Sequence, residues 1–258
     1  MIVVTAASSN HAGPLRYLLA SLARLDARVE CYDLGLTATE VQALPRWDGL
    51  LYHKFDYASY PPHLNVEVNA GEYAWKPVIV ADVVERTRAT GDPQDVLWAD
   101  AGSYFESLEP IARRVQASRG VWVRASSGTM GQWTHPGTLA SLGARAEEYR
   151  DRANADATLV GLATGHRDPG VRERVYRDIV VPWRACALNR DCIAPPGSSR
   201  RNHRQDQAVL SCLVHAGGFG FAGDSRGELG IRCKCDRWFY RYIGFHLPAP
   251  MYAWCCLY

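Results

Sequence analysis

The opening of the sequence predicts a β-strand, a helix and a second β-strand in succession. Residues 2–7 are almost entirely apolar, and residues 28–33 form a second short strand-like segment. Between them, leucines recur at helical spacing, at Leu15, Leu18, Leu19, Leu22 and Leu25. Two strands joined by a helix in this way lie parallel in one sheet. The sequence therefore predicts an α/β fold with a mostly parallel central sheet flanked by helices.

The later segments continue the alternation of helices and strands. Pro77 opens a predicted helix that ends near Thr90 and Gly91, with a strand as the alternative because of its Val-Ile-Val composition. Residues 45–72 are less regular. The remaining predicted elements are strands at 95–99, 120–124 and 158–162 and helices at 108–118, 136–152, 170–188 and 203–215. Since neither repeats nor a low-complexity linker occur, we expect one domain over residues 1–258.

Composition and charge argue against several classes of protein. Hydrophobic residues make up 47% and charged residues 22%, which is typical of a globular protein. The formal net charge of +2 gives no basis for expecting a nucleic-acid partner. No run approaches about 18 apolar residues, so we expect no transmembrane segment, and residues 2–4 are interpreted as strand and not as a secretory signal. The expected location is the cytoplasm, free or peripheral to a membrane, or the secretory-pathway lumen if a leader has been removed.

Cysteines are concentrated in the second half of the chain. Seven of the eight lie beyond residue 180, and none forms a C-x-x-C motif. We interpret them as buried free thiols. Two alternatives stay open: a disulfide between Cys186 and Cys192, and a zinc site that draws on His203 or His215.

Several motifs of common enzyme classes do not occur in the sequence. It contains neither G-x-G-x-x-G nor G-x-x-x-x-G-K-[ST], which argues against a dinucleotide cofactor and a P-loop kinase. It also lacks H-E-x-x-H and G-x-S-x-G, which argues against a zinc protease and an α/β-hydrolase. The candidate chemistry must therefore come from polar residues beyond the carboxyl ends of the strands, where open parallel sheets bind ligands.

Asp100 is the main candidate at that edge of the sheet, together with the loop at 8–11 and Asp33. It follows the predicted strand at 95–99, and Gly102 allows close approach of a ligand. A carboxylate in this position suits a divalent cation such as Mg or Mn and a diphosphate. The alternative is an aspartate that only caps a turn.

Lys76 precedes the predicted helix that Pro77 opens. A lysine there is unfavourable beside the positive end of the helix dipole unless an anion joins it. We therefore expect Lys76 to face a phosphate. A solvated lysine is the alternative.

A third group of candidates lies near the start of the predicted helix at 203–215. His203, Asp206 and Gln207 share one face, and the apolar residues that follow indicate a largely buried helix. Asp206 is a candidate general base for an acceptor hydroxyl, or a ligand of the transferred sugar. Asn202 is predicted to cap the helix, with Gln205 completing a capping box; a capping and solvated turn is the alternative role of the whole group.

Two further regions carry weaker signals. A predicted loop at 126–131, rich in glycine and serine, and the residues after it offer Ser127, Trp133 and His135 as sugar contacts. Aromatic residues between Trp238 and Tyr258, interleaved with Arg237 and Arg241, are expected to pack in the core and not to stack on nucleic acid.

Five of these segments together resemble the GT-A-fold glycosyltransferases, whose sheet is Rossmann-like. More narrowly they resemble a bacterial and animal branch of nucleotide-diphospho-sugar transferase-like proteins. The segments occur in the family's order over nearly the whole chain, and they are VVTAASSN at 3–10, YDLGL at 32–36, EYAWKP at 72–77, LWADAG at 97–102 and HRQDQ at 203–207.

The resemblance implies transfer of a hexose or related sugar from a nucleotide-diphospho-sugar to a carbohydrate or other hydroxyl acceptor. Residues of about 1–118 would bind the nucleotide and residues of about 119–258 the sugar and acceptor. The implied donor-binding residues are Thr5, Ala6, Ser8, Ser9, Asn10, Asp33, Lys76, Asp100 and Gly102. Asp206 and Gln207 would contact donor sugar or acceptor.

The resemblance also implies a divalent cation, Mn or Mg. Asp100 corresponds to the first acid of the family's D-x-D motif, but Gly102 stands where the second acid is expected. Metal binding would then rest on Asp100 and a ligand from elsewhere, such as His203, Asp206 or His215, or it would be absent. Two alternative functions stay open: a nucleotidyltransferase acting on a sugar phosphate, and a non-catalytic carbohydrate-binding protein of the same fold.

Overall fold

Six strands form one central sheet in the computed structural model, which describes residues 1–233. The strands of the described chain are β1 (Ile2–Ala7), β2 (Val29–Asp33), β3 (Leu50–Lys54), β4 (Val96–Ala99), β5 (Ser103–Phe105), β6 (Val121–Thr129), β7 (Ala153–Leu162) and β8 (Ile231–Cys233). The sheet order is β3-β2-β1-β4-β7-β6, and β5 pairs with β8 separately. The first four strands of that order run parallel, and β7 is antiparallel to both of its neighbours. The predicted α/β fold with a mostly parallel sheet is confirmed.

Helices cover both faces of this sheet. They are α1 (Ala12–Arg24), α2 (Ala38–Gln42), α3 (Trp75–Ala89), α4 (Glu109–Ala117), α5 (Met130–Trp133), α6 (Pro136–Ser141), α7 (Ala146–Tyr149), α8 (Pro169–Val175), α9 (Val181–Leu188), α10 (Arg190–Ile193) and α11 (Gln205–Ala216). One π-helical turn, Tyr176–Val180, connects α8 to α9. Within residues 1–233, no helix combines the length and the apolar character needed to cross a membrane.

The strands alternate between two apolar clusters because successive side chains of a strand point to opposite faces. In β1, Ile2 and Val4 pack with α3, α9 and α11, whereas Val3 and Ala7 pack with α1 and α4. Four of the five predicted leucines are fully buried, namely Leu15, Leu18, Leu19 and Leu22. Full burial of a leucine contributes about 1.5–3 kcal/mol. The opening strand–helix–strand unit therefore contributes buried residues to both apolar clusters.

The predicted helix at 77–90 is also confirmed and begins at Trp75. Its Val-Ile-Val segment is buried because α3 lies between the sheet and α9. A helix in that position needs apolar residues nearly all the way round. The Val-Ile-Val segment, which left a strand as the alternative prediction, is therefore explained by the burial of this helix.

Three local predictions are wrong. The irregular stretch at 45–72 contains the edge strand β3, and the predicted loop at 126–131 is the end of β6 followed by α5. The predicted helix at 136–152 is divided into α6 and α7, because Gly143 adopts a left-handed backbone conformation with φ +71° between them. In each case strand pairing or a reversal of the chain determined the local structure, and the amino-acid composition did not indicate it.

The predicted cap of the last helix does not form. The side chain of Asn202 accepts a hydrogen bond from the backbone N–H of Ser199, and Arg204 occupies the N-cap position of α11 without a side-chain cap. Gln205 has φ +37°, and its side chain donates to Glu72 at 3.2 Å. The start of α11 is therefore fixed by contacts with another part of the chain.

Cys186 and Cys192 form a disulfide, so the interpretation of these two residues as free thiols is wrong. Their sulfurs can meet because α9 ends at Leu188 and α10 turns back immediately. Cys31 and Cys212 are buried free thiols, as expected. The side chains of Cys233, Cys235, Cys255 and Cys256, and the aromatic segment from Trp238 to Tyr258, lie outside the described residues.

Candidate functional site

A cleft of about 410 Å³ opens beyond the carboxyl ends of β1, β2 and β4. Its walls come from the loops after these strands, from the first turns of α3 and α11, and from Arg226. Parallel strands deliver the residues that follow them to one edge of a sheet, and this is where such sheets bind ligands. The topology therefore brings distant polar segments of the chain into one cleft.

Lys76 lies at the bottom of the cleft between two carboxylates. Its Nζ is 2.9 Å from Oδ2 of Asp206 and 3.3 Å from Oδ1 of Asp100. It also donates to the backbone carbonyl of Ala157 at 3.1 Å. Of these three contacts, only the one to Ala157 has hydrogen-bond geometry, and Oδ2 of Asp206 accepts no hydrogen bond from the described residues. Lys76 therefore links the two carboxylates as their ion-pair partner.

The depth of this cluster controls its charge state. Lys76 is 4% exposed and Asp206 is 5% exposed. Burial alone would lower the pKa of Lys76, but Asp100 and Asp206 outweigh that effect and raise it. Burial raises the pKa of Asp206, an effect that Lys76 opposes. Asp206 is thus a stronger proton acceptor than an exposed aspartate, beside a lysine that keeps its charge.

Asp100 occupies the boundary between this cluster and the open cleft. Its Oδ1 accepts a hydrogen bond from the indole N–H of Trp98 at 2.6 Å, in addition to the contact with Lys76. Its side chain is 38% exposed, unlike that of Asp206. The carboxylate is therefore fixed through one oxygen, while the residue borders the cleft.

An unusual backbone segment places Lys76 at this depth. Residues 69–73 form a left-handed turn before α3, with φ between +48° and +63°. Gly71 is required there because a Cβ would lie 2.3 Å from the carbonyl oxygen of Leu64. Left-handed conformations at non-glycine residues persist only where surrounding contacts stabilise them, and they concentrate at functional sites. Here the contacts include the hydrogen bond between Glu72 and Gln205.

Three arginines line the same cleft and were not predicted from the sequence. Arg200 donates to the hydroxyl of Tyr73, and Arg204 stacks on Trp133 with its guanidinium carbon 4.2 Å from the ring centre. Arg226 pairs with Asp156 at 3.1 Å and also contacts Thr158. A basic run at 200–204 was a visible signal for the first two. Nothing near Arg226 distinguished it from a surface arginine.

The structure brings about half of the predicted site residues into the cleft. Those that line it are Ala6, Ser8, Asn10, Lys76, Asp100, Gly102, Asp206 and Gln207. Those that do not are Thr5, Ser9, Asp33, Ser127, Trp133, His135, His203 and His215. Thr5 is fully buried, and Ser127 is exposed on β6.

Asp33 and Ser9 instead fix the loops around the cleft. One oxygen of Asp33 accepts the backbone N–H groups of Gly35 and Leu36, and the other accepts the hydroxyl of Tyr52. Ser9 donates to Glu40 at 2.6 Å. Both side chains form hydrogen bonds within the protein, so their role is to stabilise the loops around the cleft.

The predicted histidines also serve the structure around the cleft. His203 is fully buried, with Nε2 2.8 Å from the carbonyl oxygen of Ile193 and Nδ1 accepting the backbone N–H of His135. The ring of His135 accepts the N–H of Gly137 at the start of α6. His215 bonds to the carbonyl oxygen of Ala153 and packs on Phe221.

We expect His203 to make folding sensitive to acid. Burial lowers its pKa from 6.5 to about 4. The neutral ring is therefore the folded form, and its contribution is fully present above pH 6.5 and is lost as the pH falls towards 4. The loss amounts to about 3 kcal/mol. Imidazole NMR signals of His203 should not move above pH 5, whereas a titration midpoint near 6.5 would contradict this assignment.

The described residues do not form a divalent-cation site around Asp100. Mg and Mn prefer several oxygen ligands. Gly102 offers no side chain, and Oδ1 of Asp100 is occupied by Lys76 and Trp98. Within residues 1–233, no group of three or more His, Cys, Asp or Glu side chains is placed to hold a metal. Both ring nitrogens of His203 are used, and His215 does not line the cleft.

Comparison with known proteins supports the fold more than the function. A family of unknown function, DUF1647, matches residues 1–81. No curated protein matches the sequence. An active-site mutant of LgtC is 14% identical, with a TM-score of 0.50 over 100% of this chain and 83% of LgtC.

Two further solved structures are similar to a lesser degree. The galactosyltransferase LgtC in complex with donor and acceptor sugar analogues is 15% identical, with a TM-score of 0.47 over 100% of this chain and 83% of LgtC. Mouse xyloside xylosyltransferase 1 is 12% identical, with a TM-score of 0.45 over 87% of this chain and 84% of that enzyme. The chain thus has a glycosyltransferase-like fold, a class assignment that rests on the likeness to the LgtC mutant.

Proposed function

We propose that this chain transfers a sugar from a nucleotide-diphospho-sugar to a hydroxyl group of a carbohydrate or another acceptor. One observation carries the proposal: Lys76, Asp100 and Asp206, from three separate parts of the chain, meet in a cleft at the carboxyl edge of the sheet. The glycosyltransferase-like fold supports the same conclusion. Neither a purely structural ion pair nor a solvated lysine requires an open cleft beside it.

Each residue of this cluster has a role in the proposed reaction. Transfer breaks the bond between the anomeric carbon and the diphosphate oxygen and forms a bond from that carbon to the acceptor oxygen. Asp206 borders the cleft and has a raised pKa, which suits it to accept the proton or hydrogen bond of a hydroxyl group. Lys76 is a positioning residue that holds Asp206 and Asp100 side by side.

The remaining walls of the cleft offer surfaces for both halves of the donor. Ala6, Ser8 and Asn10 follow β1 and would contact the nucleoside. Tyr73 and Trp75 supply aromatic surface next to the cluster, with ring centres 6.1 Å apart. Aromatic rings of this kind bind the apolar faces of sugars and bases. In this proposal the nucleotide-binding half covers about 1–118, and Gln207 contacts the sugar or acceptor.

A donor screen tests the proposed function. The purified chain is incubated with UDP-, GDP- and dTDP-sugars and a set of simple glycoside acceptors, and the products are separated and identified by their mass. Release of a nucleoside diphosphate together with a sugar-extended acceptor is expected. Release of pyrophosphate from a nucleoside triphosphate and a sugar phosphate would instead indicate a nucleotidyltransferase. Sugar binding without turnover of any donor would indicate a carbohydrate-binding protein.

A further inference from the structure

Two stretches of left-handed backbone precede the residues of the buried ion pair. Residues 69–73 have φ between +48° and +63° and lie just before Lys76, and Gln205, with φ +37°, immediately precedes Asp206. Such conformations are unfavourable for most residues other than glycine and persist only where contacts with the rest of the protein stabilise them. The positions of Lys76 and Asp206 therefore depend on the contacts of these two stretches.

A hydrogen bond joins the two stretches. Nε2 of Gln205 donates to Oε2 of Glu72 at 3.2 Å, and the other oxygen of Glu72 accepts a bond from the side chain of Asn69 at 3.3 Å. Gln205 is 6% exposed, and Glu72 is half-buried. A bond to a carboxylate is stronger than a bond between neutral groups. The hydrogen bond from Arg200 to Tyr73 also connects these parts of the chain, but Arg200 is exposed to solvent.

The side chains of the ion pair restrain each other only weakly. Nζ of Lys76 lies 2.9 Å from Oδ2 of Asp206, but the hydrogen bond of Lys76 goes to the carbonyl oxygen of Ala157. Oδ2 of Asp206 accepts no hydrogen bond from the described residues. The backbone of Asp206 is fixed, because its carbonyl oxygen accepts the indole N–H of Trp183 at 3.0 Å. The distance between ammonium and carboxylate therefore depends on where the turn at 69–73 is held relative to α11.

We propose that Glu72 and Gln205 are positioning residues of the transfer reaction. Their hydrogen bond sets the distance between Lys76 and Asp206. This inference rests on the proposed function and deepens it. Glu72 does not line the cleft, so it acts on the reaction through Gln205, which does. A displacement of about 1 Å near the reacting groups can lower a rate about 100-fold, so the loss of this link should affect turnover more than donor binding.

Reversing the donor and the acceptor of this bond tests the proposal. Gln205→Glu places two carboxylates opposite each other, and we expect kcat to fall about 10- to 100-fold while KM for the donor changes less than about threefold. Addition of Glu72→Gln to that variant again pairs an amide with a carboxylate, and kcat should return to within about threefold of the wild type. Glu72→Gln alone keeps an oxygen that accepts from Gln205 and should have little effect.

Crystal structures of the same variants provide a measurement that needs no donor. The distance from Nζ of Lys76 to Oδ2 of Asp206 should exceed the ion-pair limit of about 4 Å in Gln205→Glu. In the double variant it should return to the 2.9 Å of the wild type. Thermal unfolding shows whether each variant keeps its fold. If Gln205→Glu does not fold, Glu72→Ala, which removes the acceptor, takes its place, with Glu72→Gln as the conservative comparison.

Glu67→Gln is the matched control, because Glu67 is exposed, lies five residues from Glu72 and does not line the cleft. It should behave like the wild type. An unchanged kcat or an unchanged ion-pair distance in Gln205→Glu would overturn the inference and leave the proposed function intact, as would a double variant that is as slow as Gln205→Glu. A wild type that transfers sugar from no donor would overturn the proposed function, and the crystal structures would still show whether the bond sets the ion-pair distance.

Discussion

Replacing Asp206 by asparagine should abolish sugar transfer while the protein stays folded. Asparagine keeps the shape of the side chain but cannot accept a proton from a hydroxyl group. Loss of a general base lowers the rate by about 10²–10⁴-fold. Lys76 would still have Asp100 and the carbonyl oxygen of Ala157 as partners, so a large loss of stability is not expected. Initial rates with the best donor, and thermal unfolding of the same samples, measure the two effects.

Two further variants make this result specific. Asp100→Ala should also abolish transfer, because Asp100 borders the cleft beside Lys76. Asp151→Asn is the control, since Asp151 is exposed and outside the cleft, and it should keep full activity. Turnover at the wild-type rate in Asp206→Asn would remove Asp206 from the mechanism and leave it a purely structural acid.

Replacing Lys76 by methionine should have the largest effect on stability. The change leaves Asp206 buried without its cation, and loss of one partner of a buried ion pair costs about 3–5 kcal/mol. Activity should fall as well, because nothing would then hold Asp100 and Asp206 together. Chemical unfolding followed by circular dichroism measures the free energy, and Lys54→Met, at an exposed lysine of β3, is the control that should lie within about 0.5 kcal/mol of the wild type.

A double variant separates the charge effect from lost packing. In Lys76→Met/Asp206→Asn the isolated carboxylate is gone, so we expect at least half of the lost stability to return. The interaction free energy of such a cycle belongs to the pair. If the double variant were less stable than Lys76→Met alone, the two residues would not be coupled in the way that their 2.9 Å contact indicates.

The sequence predicted the frame of the fold because its signals there are local. The apolar run at 2–7, the leucines of α1 and the position of Asp100 after β4 each depend on a few neighbouring residues. Asp100 was expected at this edge because the ends of parallel strands share an edge. Lys76 and Asp206 lie at the starts of α3 and α11, and their predicted roles came from the helix dipole and from a shared helix face. Their contacts with each other and with Asp100 lie within 3.3 Å.

The predictions that were wrong or incomplete depended on distant partners. Asp33 stands at a strand end as expected, but Tyr52, 19 residues away, takes one of its oxygens. The hydrogen bond of Lys76 goes to the carbonyl oxygen of Ala157, 81 residues away. The disulfide between Cys186 and Cys192 required a reversal of the chain between α9 and α10 that no spacing rule indicates. Contacts between residues far apart in the sequence were therefore the part of the structure that the sequence did not predict.

The two carboxylates of the cleft differ in how much water surrounds them. Asp206 is 5% exposed, and its Oδ2 accepts no hydrogen bond from the described residues, whereas the side chain of Asp100 is 38% exposed. A hydroxyl group that reached Asp206 would therefore displace little solvent, while a group that bound at Asp100 would first have to displace its hydration water.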